Sequence, residues 1–331
     1  MAIGSGLGSQ CGFSTETTWG TRVAPAKFLR ARSYQLNRTA NRVQGEGIQA
    51  GVLGNIGAHY VETAEAGTGS VAFDVVNGGL GQLLQALTGG TSTIAQQAAT
   101  AAWLQTHTLG DPVKSLTMQL GAPYRTGTVY VEELSGAKVT SAEFSCAAGE
   151  LLSATVNLDA KKWDNSQSLV TASYTASKPF HFKQLAVKTG TYGAESALAG
   201  VRGVSVSWNN AMDAEDYTAG SAGLKAEQIR NGTVEITGSL NMDWLTTTKS
   251  AVEDLLVANT STSLVLEWVG PLIAATHYET FRIVLPGVFF TGDAGPGVDG
   301  KDVLTPDYGF EWKYDGTNLP KIEYMTTDTS I

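Results

Sequence analysis

Two stretches of this chain present the same succession of short motifs, the second about 160 residues behind the first, and a repeated order restricts the fold more than any single residue. Gly69-Ser70-Val71-Ala72-Phe73 opens an alternating segment, Leu83-Leu84-Gln85-Ala86 closes a helical one, and Ser115–Gly121 reads as a strand. Gly232-Thr233-Val234-Glu235-Ile236, Leu255-Leu256-Val257-Ala258 and Ser263–Gly270 follow in the same order. A hairpin candidate ends each stretch, Gly127–Gly136 and then Tyr278–Gly287. The gaps differ between stretches, so the likeness is one of order and pattern.

Two copies need two cores. A chain of 331 residues supplies domains of about 150 residues each, every one large enough to bury roughly two thirds of its unfolded surface. Charged residues make up only 16% and there are 38 glycines, which favours short strands joined by tight turns over long surface helices. The expected fold is mainly β, in two tandem domains at 26–165 and 178–331, each with a short flanking α-helix. Residues 1–25 form an expected assembly arm. They are rich in Gly, Ser and Thr yet carry Phe13, Trp19 and Pro25, and a free linker has little reason to keep a large aromatic. These three residues are the candidate assembly contacts, with Trp19 docking on its own domain or on a neighbouring subunit; a short first strand with a core tryptophan is the alternative.

Along the chain, Phe28–Leu36, His59–Glu62 and Gly69–Val75 read as strands, with a glycine-punctuated excursion over 41–57. Leu80, Leu83, Leu84 and Leu87 recur at helical spacing before Gly89-Gly90, a one-sided helix with a glycine stop, and Ser250–Ala258 answers it. Thr91–Gly110 and Asp159–Ser177 read as polar loops, Glu143–Leu158 as a hairpin around Gly149. Phe180-His181-Phe182, Gly203–Trp208 and Gly232–Leu240 alternate as strands, and Gly309–Tyr314 with Ile322–Tyr324 reads as a last hairpin. Thr91–Gly110, Asp159–Ser177 and Thr291–Thr305 are secondary candidates for assembly contacts.

The formal charge of -9 is uneven: residues 1–165 carry 11 basic against 12 acidic groups, residues 166–331 carry 11 against 19. An acidic surface repels phosphate, which argues against ordinary nucleic-acid binding and suits a passage through which DNA slides without sticking. Cys11 and Cys146 match no metal or redox spacing, and a disulfide between them stays open. The N-terminus lacks a secretory pattern and no stretch reaches membrane-span length, so synthesis in the cytoplasm without membrane insertion is expected. Chemistry is sparse. His59, His107, His181 and His277 stand far apart, and Gly4–Ser9 lacks the strand and lysine of a phosphate loop. Glu132 and Glu133 point to opposite faces of a strand, Asp213, Glu215 and Asp216 share a loop, and Asp293, Asp299 and Asp302 occupy a glycine-rich loop without calcium-loop spacing. No catalytic residue, cofactor or metal is expected.

Trp19-Gly20-Thr21 with Pro25, the segment Gly69–Leu87 with its leucine helix, and Arg282–Phe290 together resemble the major tail tube proteins of long-tailed (siphovirus-like) bacteriophages. The resemblance implies tail-tube-like β-sandwich or barrel domains that assemble into rings, stacked into the channel for DNA delivery in the virion tail after assembly in the host bacterial cytoplasm. Rings in that family present six domain positions. A chain filling two of them needs three copies per ring, with pseudo-sixfold symmetry; a hexamer of chains is the alternative. The implied partners are further copies of the chain, tape-measure and tail terminator or baseplate proteins, and DNA in transient passage. The competing readings are another virion interaction protein (baseplate, capsid or adhesin-like) and an all-β carbohydrate-active enzyme.

Overall fold

The computed structural model describes residues 3–213, 215–298 and 300–331. In chain order the first strands are β1 Gln10–Thr15, β2 Lys27–Leu29, β3 Ala31–Gln44, β4 Tyr60–Asp74, β5 Gly89–Gln96, β6 Trp103–Leu109, β7 Leu116–Pro123, β8 Val129–Ala147, β9 Ser153–Ala160 and β10 Lys162–Asp164. Helix α1, Gly81–Thr88, lies between β4 and β5. The later strands are β11 Leu185–Thr191, β12 Ala194–Ala197, β13 Val201–Asn209, β14 Glu235–Met242, β15 Thr262–Ala274, β16 His277–Thr291, β17 Asp307–Trp312 and β18 Lys321–Thr326. A second helical segment, 246–257, follows β14 and contains a π turn at Lys249–Glu253. The protein is mainly β.

All pairings between these strands are antiparallel, and they recur in order. β1 pairs with β2 and β7, as β11 pairs with β12 and β15. β4 pairs with β3 and β9, as β14 pairs with β13 and β17. β8 holds β7, β9 and β10; β16 holds β15, β17 and β18. The helices occupy matching places after β4 and β14. Both long strands change register beside a positive-φ glycine, Gly136 at φ 66° and Gly287 at φ 74°, as a bulge requires. Two further pairings join the halves: β8 with β13 and β6 with β18.

Packing follows from close approach. β4 lies on the first half of β8, where a Cβ on Gly67 would come 2.3 Å from Leu134 Cδ2, so a side chain there would push the layers apart. Leu83, Leu84 and Leu87 turn the buried side of α1 to the core, and Gly89 stops the helix at φ 76°. Phe281 packs against Phe144, Phe180, Trp268 and Tyr324 with ring centroids 5.8–6.3 Å apart, so one aromatic cluster spans both halves.

Several expectations change. The sheet is open, not a closed barrel, because β2, β3, β5 and β12 each pair with one strand only. Thr91–Gly110 is no loop: its Ser/Thr-rich run forms most of the β5–β6 hairpin, which β18 supports. β17 and β18 do not pair with each other; each takes a different part of β16, whose 15 residues exceed what either short strand covers. Around Phe180-His181-Phe182 there is no strand but isolated bridges and a short 3-10 turn from Phe182. Within the expected arm, Gln10–Thr15 is a paired strand.

Candidate functional site

Register places one continuous polar face across eight strands, in the order β3, β4, β9, β8, β13, β14, β17, β16. Directly paired residues share a face of a sheet. One row runs Ser33, Ala72, Thr155, Glu143, Ser207, Thr237, Glu311 and Phe289. The next row in from the sheet end runs Asp74, Ser153, Ser145, Ser205, Ser239, Gly309 and Thr291. The intervening row is Phe73, Ala154, Phe144, Val206, Gly238, Phe310 and Phe290, all on the other face and in the core apart from the glycine. Strict period-2 alternation therefore holds across the seam between β8 and β13 without interruption.

Small hydroxyls dominate this face and satisfy one another. Ser145 and Ser153 hydroxyls lie 3.0 Å apart and those of Ser205 and Ser239 2.9 Å apart, so the face is smooth and neutral over its centre. Its charge is mostly acidic: Glu143, Glu235, Asp307 and Glu311 lie on it, and Asp74 is paired with Arg32. Both helices pack on the opposite side. The second helical segment is held there by Glu253, whose Oε1 accepts from Trp244 Nε1 at 3.0 Å and Tyr308 Oη at 2.7 Å.

One end of the face is covered by the β13–β14 connection. Glu65 N donates to Gly223 O at 2.9 Å, and Lys225 Nζ reaches Asp159 Oδ1 at 2.6 Å, both side chains being almost fully buried. Gln228 Nε2 donates to Asp159 Oδ2 at 2.9 Å, and Lys138 Nζ donates to Glu227 Oε1 and Gln228 O, each at 2.8 Å. Burial raises the Asp159 carboxyl above its ordinary value while hydrogen bonds from Lys225 and Gln228 pull it down. The sequence carries no local signal for this knot, whose side-chain contacts join residues 66 to 90 positions apart.

The three expected assembly contacts separate. Phe13 is fully buried on β1 and Pro25 is buried beside it. Trp19 is half-buried; Lys161 Nζ lies 4.5 Å over its ring and its Nε1 donates to Gln228 Oε1 at 3.3 Å, which ties the N-terminal segment to the covering connection. Nearby Glu16, invisible as a site in the sequence, is buried and accepts from Ser115 and Thr117 hydroxyls and the Gly20 and Gly136 amides at 2.6–2.9 Å.

The other singled-out residues are structural or exposed. His107 is buried, its ring 2.9 Å from Ser92 Oγ, and burial lowers it to about 4. Cys11 and Cys146 are buried and free, with burial pushing the Cys11 thiol up to about 12. Glu133 is buried against Arg22 and Gln119. Asp293 and Asp302 lie in a loop, and Asp299 lies outside the described residues. Among the described residues no group of three or more His, Cys, Asp or Glu could hold a metal, and no helix is long and apolar enough to cross a membrane.

A broad polar sheet face with open strand edges and, among the described residues, no metal-binding cluster is the geometry of a wall. The family described as phage tail tube protein matches residues 6–313. The chain belongs to that family. No curated protein matches it. It is a structural component of the bacteriophage tail tube, not an enzyme, and its family assembles as oligomeric rings.

Proposed function

We propose that the tail tube protein carries two tandem tube domains, that three chains close each ring with pseudo-sixfold symmetry, and that the eight-strand polar face lines the DNA channel. The observation that carries this is the β8–β13 seam, which joins two sets of matching pairings into one sheet. An interface that links unlike surfaces head to tail propagates, and it closes when the rotation permits. At the ends of the array, β3 pairs only with β4, and β16 stops at Thr291 where β8 runs ten residues beyond Ala137, the counterpart of Val288 in the bulge. β8 is longer because β13 supports it. By the same register, Ser33–Thr39 of a neighbour would pair with 291–297, drawing that acidic glycine-rich loop into an extended strand.

The domain limits follow this reading, with Gln10–Thr15 joining the first domain and the segment after β10 linking it to the second. Among Phe13, Trp19 and Pro25, the assembly role rests with Trp19, which steadies the connection covering the seam. The serine-rich, mildly acidic face keeps DNA mobile, since a basic wall would hold phosphates by many salt-dependent contacts. Tape-measure protein inside the tube, and terminator or baseplate proteins at its ends, are the further partners, with assembly in the host cytoplasm. Electron microscopy of purified protein tests the reading: hollow rings or tubes with threefold symmetry support it, and monodisperse monomers at high concentration, or six chains per ring, refute it.

A further inference from the structure

The covering connection in the second half has a counterpart in the first half with nothing beneath it. Asp159 pairs with Thr68 on one side and Lys138 on the other; Glu311 pairs likewise with Thr237 and Phe289. Lys138 and Phe289 each lie two residues past the bulge glycine, Gly136 or Gly287, so the two sites correspond position by position. Glu65, whose amide holds Gly223, then corresponds to Val234. Around Val234 the seat is open. A groove of about 630 Å³ is lined there by Val234, Ile236, Glu311, Trp312, Lys313 and Tyr314.

The connection equivalent to 223–228 is the tip joining β3 to β4, residues 45–59. It projects into solvent: Ile48 is 102% exposed and Leu53 107%, with Val52 also exposed. Resting on the ring reading above, we propose that this tip docks in the Trp312–Tyr314 groove of the next copy of the chain, as the 223–228 segment docks over Asp159 within one chain. The chemistry changes on both sides together. In the occupied seat, Asp159 and Lys138 meet Lys225 and Glu227. In the open seat Phe289 replaces Lys138, Tyr314 is exposed, and Glu311 is already paired with Lys313 at 2.9 Å. The tip matches that change, since 45–59 contains no lysine or arginine and offers isoleucine, valine and leucine instead. A charged lock thus joins the halves of a chain and an apolar one joins chains.

The experiment pairs Asn55→Cys on the tip with Thr233→Cys on the groove rim, with a short bis-maleimide as probe and electron microscopy in parallel. The native thiols are buried, so background labelling is low. Chain-to-chain cross-links in rings and none in unassembled protein are expected. A Leu53→Asp plus Ile48→Asp variant, whose sites are fully exposed, keeps its unfolding curve and loses ring yield at least tenfold. Rings that form without the cross-link, and with normal yield in the aspartate variant, overturn the docking while leaving the ring reading intact. Failure of the wild-type chain to form rings at all overturns both.

Discussion

Lys225→Met isolates the buried lock between the halves. The ammonium lies 2.6 Å from Asp159 with side chains 5% and 4% exposed, so the substitution leaves a buried carboxylate with Gln228 as its remaining donor in that contact. Breaking a buried pair from one side costs about 3–5 kcal/mol. The sign with pH follows from Asp159, whose folded-state value is raised above 3.8 by burial against the pull of Lys225. A raised carboxyl contributes stability below 3.8 that is lost as pH climbs through its folded value. Removing Lys225 raises it further and enlarges that loss. The deficit of the variant is therefore largest near pH 8 and shrinks as acid protonates Asp159. Urea unfolding of dilute, unassembled protein at pH 8 and pH 5 measures it, with amide exchange over 223–228 reporting release of the connection. A deficit below about 1 kcal/mol at pH 8, the level of an exposed pair, or one that grows toward pH 5, refutes the reasoning.

Phe13→Ala should cost about 3–5 kcal/mol in thermal or urea unfolding, and deletion of 1–25 should abolish cooperative unfolding of the first half whereas deletion of 1–8 leaves it intact. His107, lowered from 6.5 to about 4, contributes stability that is present above 6.5 and lost as pH falls through 4, up to about 3 kcal/mol; amide protection factors in β6 and β18, corrected for the slower intrinsic exchange in acid, that are lower at pH 4 than at pH 7 check it. The seam register places Asn37 of one chain opposite Asp293 of the next, so Asn37→Cys with Asp293→Cys should give interchain disulfides in rings under mild oxidation; rings without them contradict the proposed edge pairing.

Local patterns made much of the fold legible. Alternation marked β13 and β14, leucine spacing and Gly89 marked α1, and the motif order anticipated which strands carry matching partners. The alignment was displaced, however: pairing equates Thr68 with Thr237 and hence Gly69 with Gly238, six residues beyond Gly232. The failures have physical causes. Phe13 sits in a Gly- and Ser-rich context that reads as an arm, yet β2 and β7 flank its strand and bury it. The Thr91–Gly110 run looks like a loop because its inward side is Gln105 and His107, polar residues satisfied by Ser92 and one another. The Asp159–Lys225 lock depends on residues brought together only by the long-range sheet.

The strands forming the polar face emerge only from the β8–β13 register. Image reconstruction of assembled rings, with chains counted by native mass, tests this account most directly. Three chains per ring, with the Thr155–Ser207 row facing the lumen and α1 outside, is the predicted result. Six chains per ring, or a lumen lined by the helices, would contradict it.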